Sequence, residues 1–168
     1  MSLNADIAGT ARFTEEQLAR YVIDATKDVF STMVMMDPAD DYPLKDPIHR
    51  FQCSITGMVG FAGIYSGVIS IHCPVALALQ ITSSMLGMEC EEVNEDLNDA
   101  IGEIANMLGG SVKQVLSKGG MDVKLSIPTV ISGEDYTVNS LSDIDCVVIP
   151  FSVNDNRFLV GLTLKKED

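Results

Sequence analysis

Two pairs of apolar, β-branched runs, one in the first half of the chain and one at its end, constrain this sequence more than any other feature. RFQCSITGMVGFAG and SGVISIHCP read as strands joined by a tight turn near Ile64 to Gly67; DCVVIPFSV and FLVGLTLKK read as strands joined by the turn VNDNRF. Strands joined by tight turns are antiparallel neighbours. VKLSIPTVISG and a short YTV add to them, giving a largely antiparallel sheet of about six strands. Three helices complete the order. Thr14 caps one running to about Met36, with Gln17 closing a capping box and Leu18, Val22, Ala25, Val29 and Met33 as its core face. DPADDYPLKDP, rich in proline and aspartate, is a loop. Pro74 opens a second helix that Gly87 ends. Asn94 caps a third, with Leu97 at its third position, which Gly119 and Gly120 end. Helices segregated beside an antiparallel sheet define an α+β fold. At 168 residues and 46% hydrophobic, the chain has material for one core, so residues 1–168 are expected to form a single domain, with 1–13 a flexible N-terminal segment.

The charge narrows the partners. A formal net charge of -13 repels phosphate backbones and anionic lipid, which argues against nucleic acid. No stretch approaches the roughly 20 apolar residues of a membrane span, and MSLNADIAGTARF lacks the basic start and apolar run of a signal peptide, so a soluble, cytoplasmic protein is expected. Cys53, Cys73, Cys90 and Cys146 are widely spaced and read as buried thiols. His49 and His72 stand alone, without the cluster that a zinc site needs, so no metal is expected to be bound by this chain.

The third helix carries an unusual polar row. At about 100° per residue, Leu97, Ile101, Ile104, Leu108, Val112 and Val115 fall within about 80° of arc, and Asp99, Glu103 and Asn106 lie about opposite. Gly110 extends the row and Gly109 lies beside it, although each glycine costs a helix about 1 kcal/mol relative to alanine. Two adjacent glycines make sense if something approaches the backbone closely just beyond Asn106; otherwise the helix breaks there and the row is solvated decoration. A shift of 75 residues maps Asp24, Asp28 and Ser31 onto Asp99, Glu103 and Asn106, and each helix leads into a strand ending near a glycine, Gly57 and Gly133. That is the pattern of a degenerate internal duplication.

The motif Asp-x-x-x-Glu-x-x-Asn, followed by Pro128 and set in GEIANMLGG, resembles the signature of the CheC/CheX/FliY family of chemotaxis phosphatases, and CheX members most of all. The likeness spans nearly the whole chain, from the first helix through GMVGFAGIYSGVISI to the terminal strands. The interval of 21 residues between Asn106 and Pro128 is about one shorter than the family's. The resemblance implies a phosphatase acting on the aspartyl phosphate of a CheY-like response regulator. It implies Glu103 and Asn106 as the active pair, and Asp99 and Pro128 as supporting motif residues. It also implies one active helix per chain, since Asp28 and Ser31 reach less far than Glu103 and Asn106, and a homodimer offering one site per subunit. Mg2+ would come with the phosphorylated regulator.

Chemistry supports those roles. Hydrolysing an aspartyl phosphate needs a water held in line and positive charge on the equatorial oxygens. This chain has no Arg or Lys cluster for those oxygens, so the partner must bring that charge. An amide both donates to and accepts from a water, which suits Asn106 to orient the nucleophile. Glu103 suits pairing with a partner Lys, with a general-base role as the alternative. A non-catalytic module binding a receiver domain or a motor-associated protein through the same face is the second reading. A small-molecule enzyme fits poorly: GMVGFAG lies between strand residues, where tight packing or a bulge accounts for its glycines.

Overall fold

A computed structural model describes residues 13–43, 50–117, 123–139 and 145–166. Expectations for residues 1–12, for His49 and for Gly119 and Gly120 fall outside these, as do the side chains of Cys53 and Cys146. Among the described residues, three helices pack against one face of a seven-stranded antiparallel sheet. The elements are α1 (Glu15–Val29), ending in a π turn (Phe30–Val34), β1 (Ala39–Asp40), β2 (Arg50–Gly63), β3 (Tyr65–Cys73), α2 (Val75–Leu86), α3 (Glu95–Leu116), β4 (Val123–Leu125), β5 (Thr129–Asn139), β6 (Asp145–Val153) and β7 (Asn156–Lys166).

Local signals act where they are written. Thr14 Oγ1 accepts from the Gln17 N–H at 2.9 Å, and Gln17 Oε1 accepts from the Thr14 N–H at 2.8 Å, the reciprocal box that starts α1. Asn94 Oδ1 accepts from the Leu97 N–H at 3.0 Å and starts α3. Gly87 closes α2 in the left-handed conformation, φ 69°. Asn154 and Asp155, both at positive φ, form the two-residue turn between β6 and β7, a geometry whose twist suits a hairpin. The first hairpin turns at Gly63 and Ile64, slightly earlier than expected, and leaves Gly67 inside β3. A Cβ there would lie 1.9 Å from the Thr163 carbonyl oxygen of β7, so only glycine fits.

The sheet order is β1-β6-β7-β3-β2-β4, with β5 also paired to β2. Exchanging β1 with β4, β2 with β6 and β3 with β7 turns this order into its own reverse. Each half contains a helix, a short strand and a hairpin, with α2 and β5 outside the correspondence, and each short strand pairs with the other half's hairpin. The internal duplication is therefore present in the topology. The glycine correspondence is not part of it: Gly57 lies in β2, whose counterpart is β6, whereas Gly133 lies in β5.

Alternation places Ile55, Val59, Phe61, Ile69, Ile71, Val160 and Leu162 under the helices, all buried. Phe30 stacks on Phe158 at 4.9 Å between centroids, and Phe158 on Phe151 at 5.1 Å, joining the π turn to β7 and β6. The π turn ends α1 earlier than expected, so Phe30 and Val34 are buried while Met33 is only partly so. On the opposite face Thr56 and His72 are also buried. His72 is bonded at Nδ1 to Thr56 Oγ1 and at Nε2 to Ser70 Oγ, both 2.9 Å, and burial pushes its pKa down to about 4. The terminal run RFLVGLTL lies in β7, a central strand between β6 and β3, so its apolar character is satisfied within the chain.

Candidate active site

Helix α3 runs unbroken through Gly109 and Gly110. Leu97, Ile101, Ile104, Leu108 and Val112 are buried as the periodicity requires, but Val115 is 42% exposed and Leu116 takes the core position. Toward the C-terminal end of α3, the buried arc rotates toward the Gly109 side of the helix. The helix rests mainly on β2. A Cβ on Gly57 would stand 2.9 Å from Ile101 Cγ2 and 3.1 Å from the Ile101 carbonyl oxygen, so this glycine sets how closely helix and sheet approach.

The two helix glycines have different surroundings. A Cβ on Gly109 would meet Val59 Cγ1 at 3.1 Å and Leu125 Cδ2 at 3.6 Å, whereas one on Gly110 would meet nothing within 4 Å. Gly109 is thus a packing glycine turned to the sheet, which corrects the expectation that both open the backbone to an outside approach. Gly110 alone fits that role.

Asp99 and Glu103 are exposed and Asn106 is partly buried, on a stripe that continues to Gly110. Residues three and four apart on a helix have Cβ atoms about 5–6 Å apart, so the row is continuous. Among the described residues the single ion pair, Lys27 to Asp40, lies elsewhere, and no described group bonds the side chains of Asp99, Glu103 or Asn106. Their polar atoms are available to a visitor. Lys113 is seven residues beyond Asn106, about 10 Å along the axis, too far to serve the same reacting group. No group of three His, Cys, Asp or Glu able to hold a metal occurs among the described residues.

Pro128 flanks the row. Its Cβ lies 3.6 Å from where a Cβ on Gly102 would be, beside Glu103 and Asn106. The segment before it was not singled out in the sequence. Ser126 is tied to β2 in both directions: its N–H donates to the Gly60 carbonyl and its Oγ accepts from the Gly60 N–H, each at 2.9 Å. Ser126 Oγ also donates to the Ile127 carbonyl at 3.0 Å. Ile127 is consequently held outward, 85% exposed. An isoleucine before a proline at the end of a strand was its one sequence signal.

The corresponding row on α1 is built differently. Asp24, Asp28 and Ser31 are exposed, but Ser31 lies in the π turn and its Oγ donates back to the Asp28 carbonyl at 3.3 Å. The regular spacing that presents Glu103 and Asn106 together is lost there.

Helices on one face of a duplicated antiparallel sheet, with an exposed Asp-x-x-x-Glu-x-x-Asn stripe, define a CheC-like domain. The family model for chemotaxis phosphatase CheX matches residues 55–152. The chain belongs to the CheX family. The CheY-P phosphatase CheX of Thermotoga maritima is 32% identical over 114 residues, 67% of this chain and 72% of that protein. The crystal structure of a chemotaxis protein CheX from Desulfovibrio desulfuricans has a TM-score of 0.77 and 29% identity, covering 88% of this chain and 99% of that one. A chain of the CheX-CheY-BeF3-Mg2+ complex from Borrelia burgdorferi shares the fold, with a TM-score of 0.68 at 21% identity over 88% of this chain and 97% of that one.

Proposed function

We propose that this protein hydrolyses the aspartyl phosphate of a CheY-like response regulator, with Asn106 positioning the attacking water and Glu103 docking to the regulator's lysine. The observation that carries the reading is the Glu103–Asn106 pair on an unbroken helix, with no described residue bonded to its side chains. In the reaction, water oxygen bonds to phosphorus as the bond to the aspartate oxygen breaks, releasing phosphate and a free carboxylate. The transition state is loose, so orienting the water contributes more than removing its proton early. Asn106 suits this task because its amide accepts and donates at once. Positive charge on the equatorial oxygens would come from the regulator's own lysine and bound Mg2+.

Glu103 is better suited to docking than to base catalysis, because its carboxylate is exposed on the helix surface, where a partner's cation can reach it. Asp99, one turn earlier, extends the same acidic edge. We further propose that residues 1–168 work as one phosphatase domain and that two chains associate. β7 gives no reason for pairing, but β6 is covered by β1 only near Phe151 and Ser152, and the outer edge of β5 has no strand beside it among the described residues.

The test is single-turnover loss of phosphate from a phosphorylated CheY-like receiver domain in Mg2+. Asn106→Ala should slow the stimulated reaction on the order of 10²-fold while keeping the wild-type melting temperature. A folded variant with the wild-type rate refutes the assignment. Binding without any stimulated hydrolysis by the wild-type protein would instead support the interaction-module reading.

A further inference from the structure

Gly110 is unexplained by anything among the described residues. It sits within a 22-residue helix, it is not at positive φ, and a methyl there would touch nothing within 4 Å. Its neighbour Gly109 is accounted for by Val59, so the missing side chain at 110 is not a by-product of packing α3 on the sheet. It lies one turn beyond Asn106 on the stripe that carries Asp99 and Glu103. Across the flank from Gly102 stands the second unexplained feature, Ile127, 85% exposed although Ser126 holds its segment firmly to β2. Proline at 128 restricts the backbone of residue 127 further. An apolar side chain held in water on a fixed segment is available for contact without first being ordered.

We propose that Gly110 and Ile127 are docking determinants for the phosphorylated receiver domain, Gly110 as the point of closest approach to the α3 backbone and Ile127 as an apolar anchor on the segment that flanks the helix at Gly102. This rests on the reading of Asn106 and Glu103 given above. For the Asn106 amide to reach a water at the phosphorus, the receiver surface around the phosphoaspartate must come down onto α3. Any side chain at 110 would stand in that path and hold the surface away. The partner so defined has a lysine opposite Glu103, close backbone or small side chains opposite Gly110, and an apolar rim opposite Ile127.

Initial rates of dephosphorylation, measured against the concentration of a phosphorylated CheY-like receiver domain in Mg2+, test this, with melting temperatures recorded for each variant. Gly110→Ala should melt about 2–4 °C higher, since alanine is the better helix former and meets no clash. Its half-saturation concentration should nevertheless rise about tenfold, with the maximal rate affected least. Gly110→Leu should fail to saturate, and Ile127→Asp should raise half-saturation about tenfold without lowering the melting temperature. A purely structural role for either residue predicts that stability and half-saturation worsen together. Wild-type half-saturation in Gly110→Leu or in Ile127→Asp, with Asn106→Ala inactive in parallel, overturns the docking surface. Full activity of Asn106→Ala would instead overturn the reading beneath it.

Discussion

Replacing Gly57 by alanine sets two effects against each other whose sizes follow from the structure. The new methyl would lie 2.9 Å from Ile101 Cγ2, 3.1 Å from the Ile101 carbonyl oxygen and 3.3 Å from Ala105 Cβ, against 3.4 Å or more for ordinary contact. The carbonyl belongs to the backbone of α3, so the helix must lift from β2 by a few tenths of an ångström. Overpacking of this kind costs about 1–3 kcal/mol. Removing glycine's freedom in the unfolded chain offsets about 0.4–1 kcal/mol. Overpacking wins, leaving a net loss of about 1–2 kcal/mol, which corresponds to a fall of roughly 2–8 °C in melting temperature for a chain of this size. Gly60 is the matched control on the same strand: a Cβ there meets Ser126 Oγ at 3.5 Å and nothing closer, so Gly60→Ala should be neutral or slightly stabilising. Thermal unfolding followed by circular dichroism, with urea midpoints beside it, measures both. Because α3 carries Glu103 and Asn106, folded Gly57→Ala should also dephosphorylate the receiver several-fold more slowly. Equal stability of the two variants, or a Gly57→Ala protein as stable as wild type, would show that the helix–sheet distance is not limited at this residue.

Alanine at both Asp28 and Ser31 should leave the dephosphorylation rate within a few-fold, because the π turn separates that pair from the geometry of α3; a folded but inactive double variant refutes the single-site reading. His72 is neutral when folded, with a pKa near 4, but protonates in the unfolded chain near 6.5. The unfolded state then binds the extra proton between these values, so stability should hold above about pH 6.5 and fall by up to about 3 kcal/mol as pH drops toward 4. His72→Gln should flatten that part of the curve, and an unchanged slope assigns it to other groups. Sedimentation at micromolar concentration should report twice the mass of the chain; a fully active monomer there removes assembly from the mechanism.

What could be read before folding was what depends on near neighbours. The capping box at Thr14 and Gln17, the Asn94 cap and Gly87 are each decided within a few residues and stand as read, and the turn read over VNDNRF narrows to Asn154 and Asp155. The outward direction of Asp99, Glu103 and Asn106 follows from helical period alone. Less visible was whatever depends on a distant partner. Gly109 and Gly110 are indistinguishable in sequence, and only Val59 and Leu125, brought in by β2 and β4, separate them. An apolar terminal strand suits a central place or one paired across an interface equally well, and pairing with both β3 and β6 makes it central. Val115 satisfied the periodicity but faces outward, its neighbour Leu116 being the buried residue at the end of α3. Ser126 and Ile127 carry no motif, and their importance comes from two hydrogen bonds to Gly60 across the fold.

The exchanged short strands have a kinetic consequence. Ala39 pairs with Ser152 and Gly63 with Val123, so each half of the chain leaves its outermost strand on the other half's hairpin. Neither half can complete its own sheet while it waits for the other, and the seam between β3 and β7 joins residues as far apart as Tyr65 and Lys166. The entropy of closing those long loops must be spent before the contacts return it, which makes folding slow and concerted rather than stepwise by halves. On the ribosome, the first hairpin emerges long before the strand that will lie beside it, leaving an apolar β3 edge open until β7 has been made. Glu103 and Asn106 are therefore synthesised well before the sheet beneath them is whole, and the platform under their helix is completed only with β7.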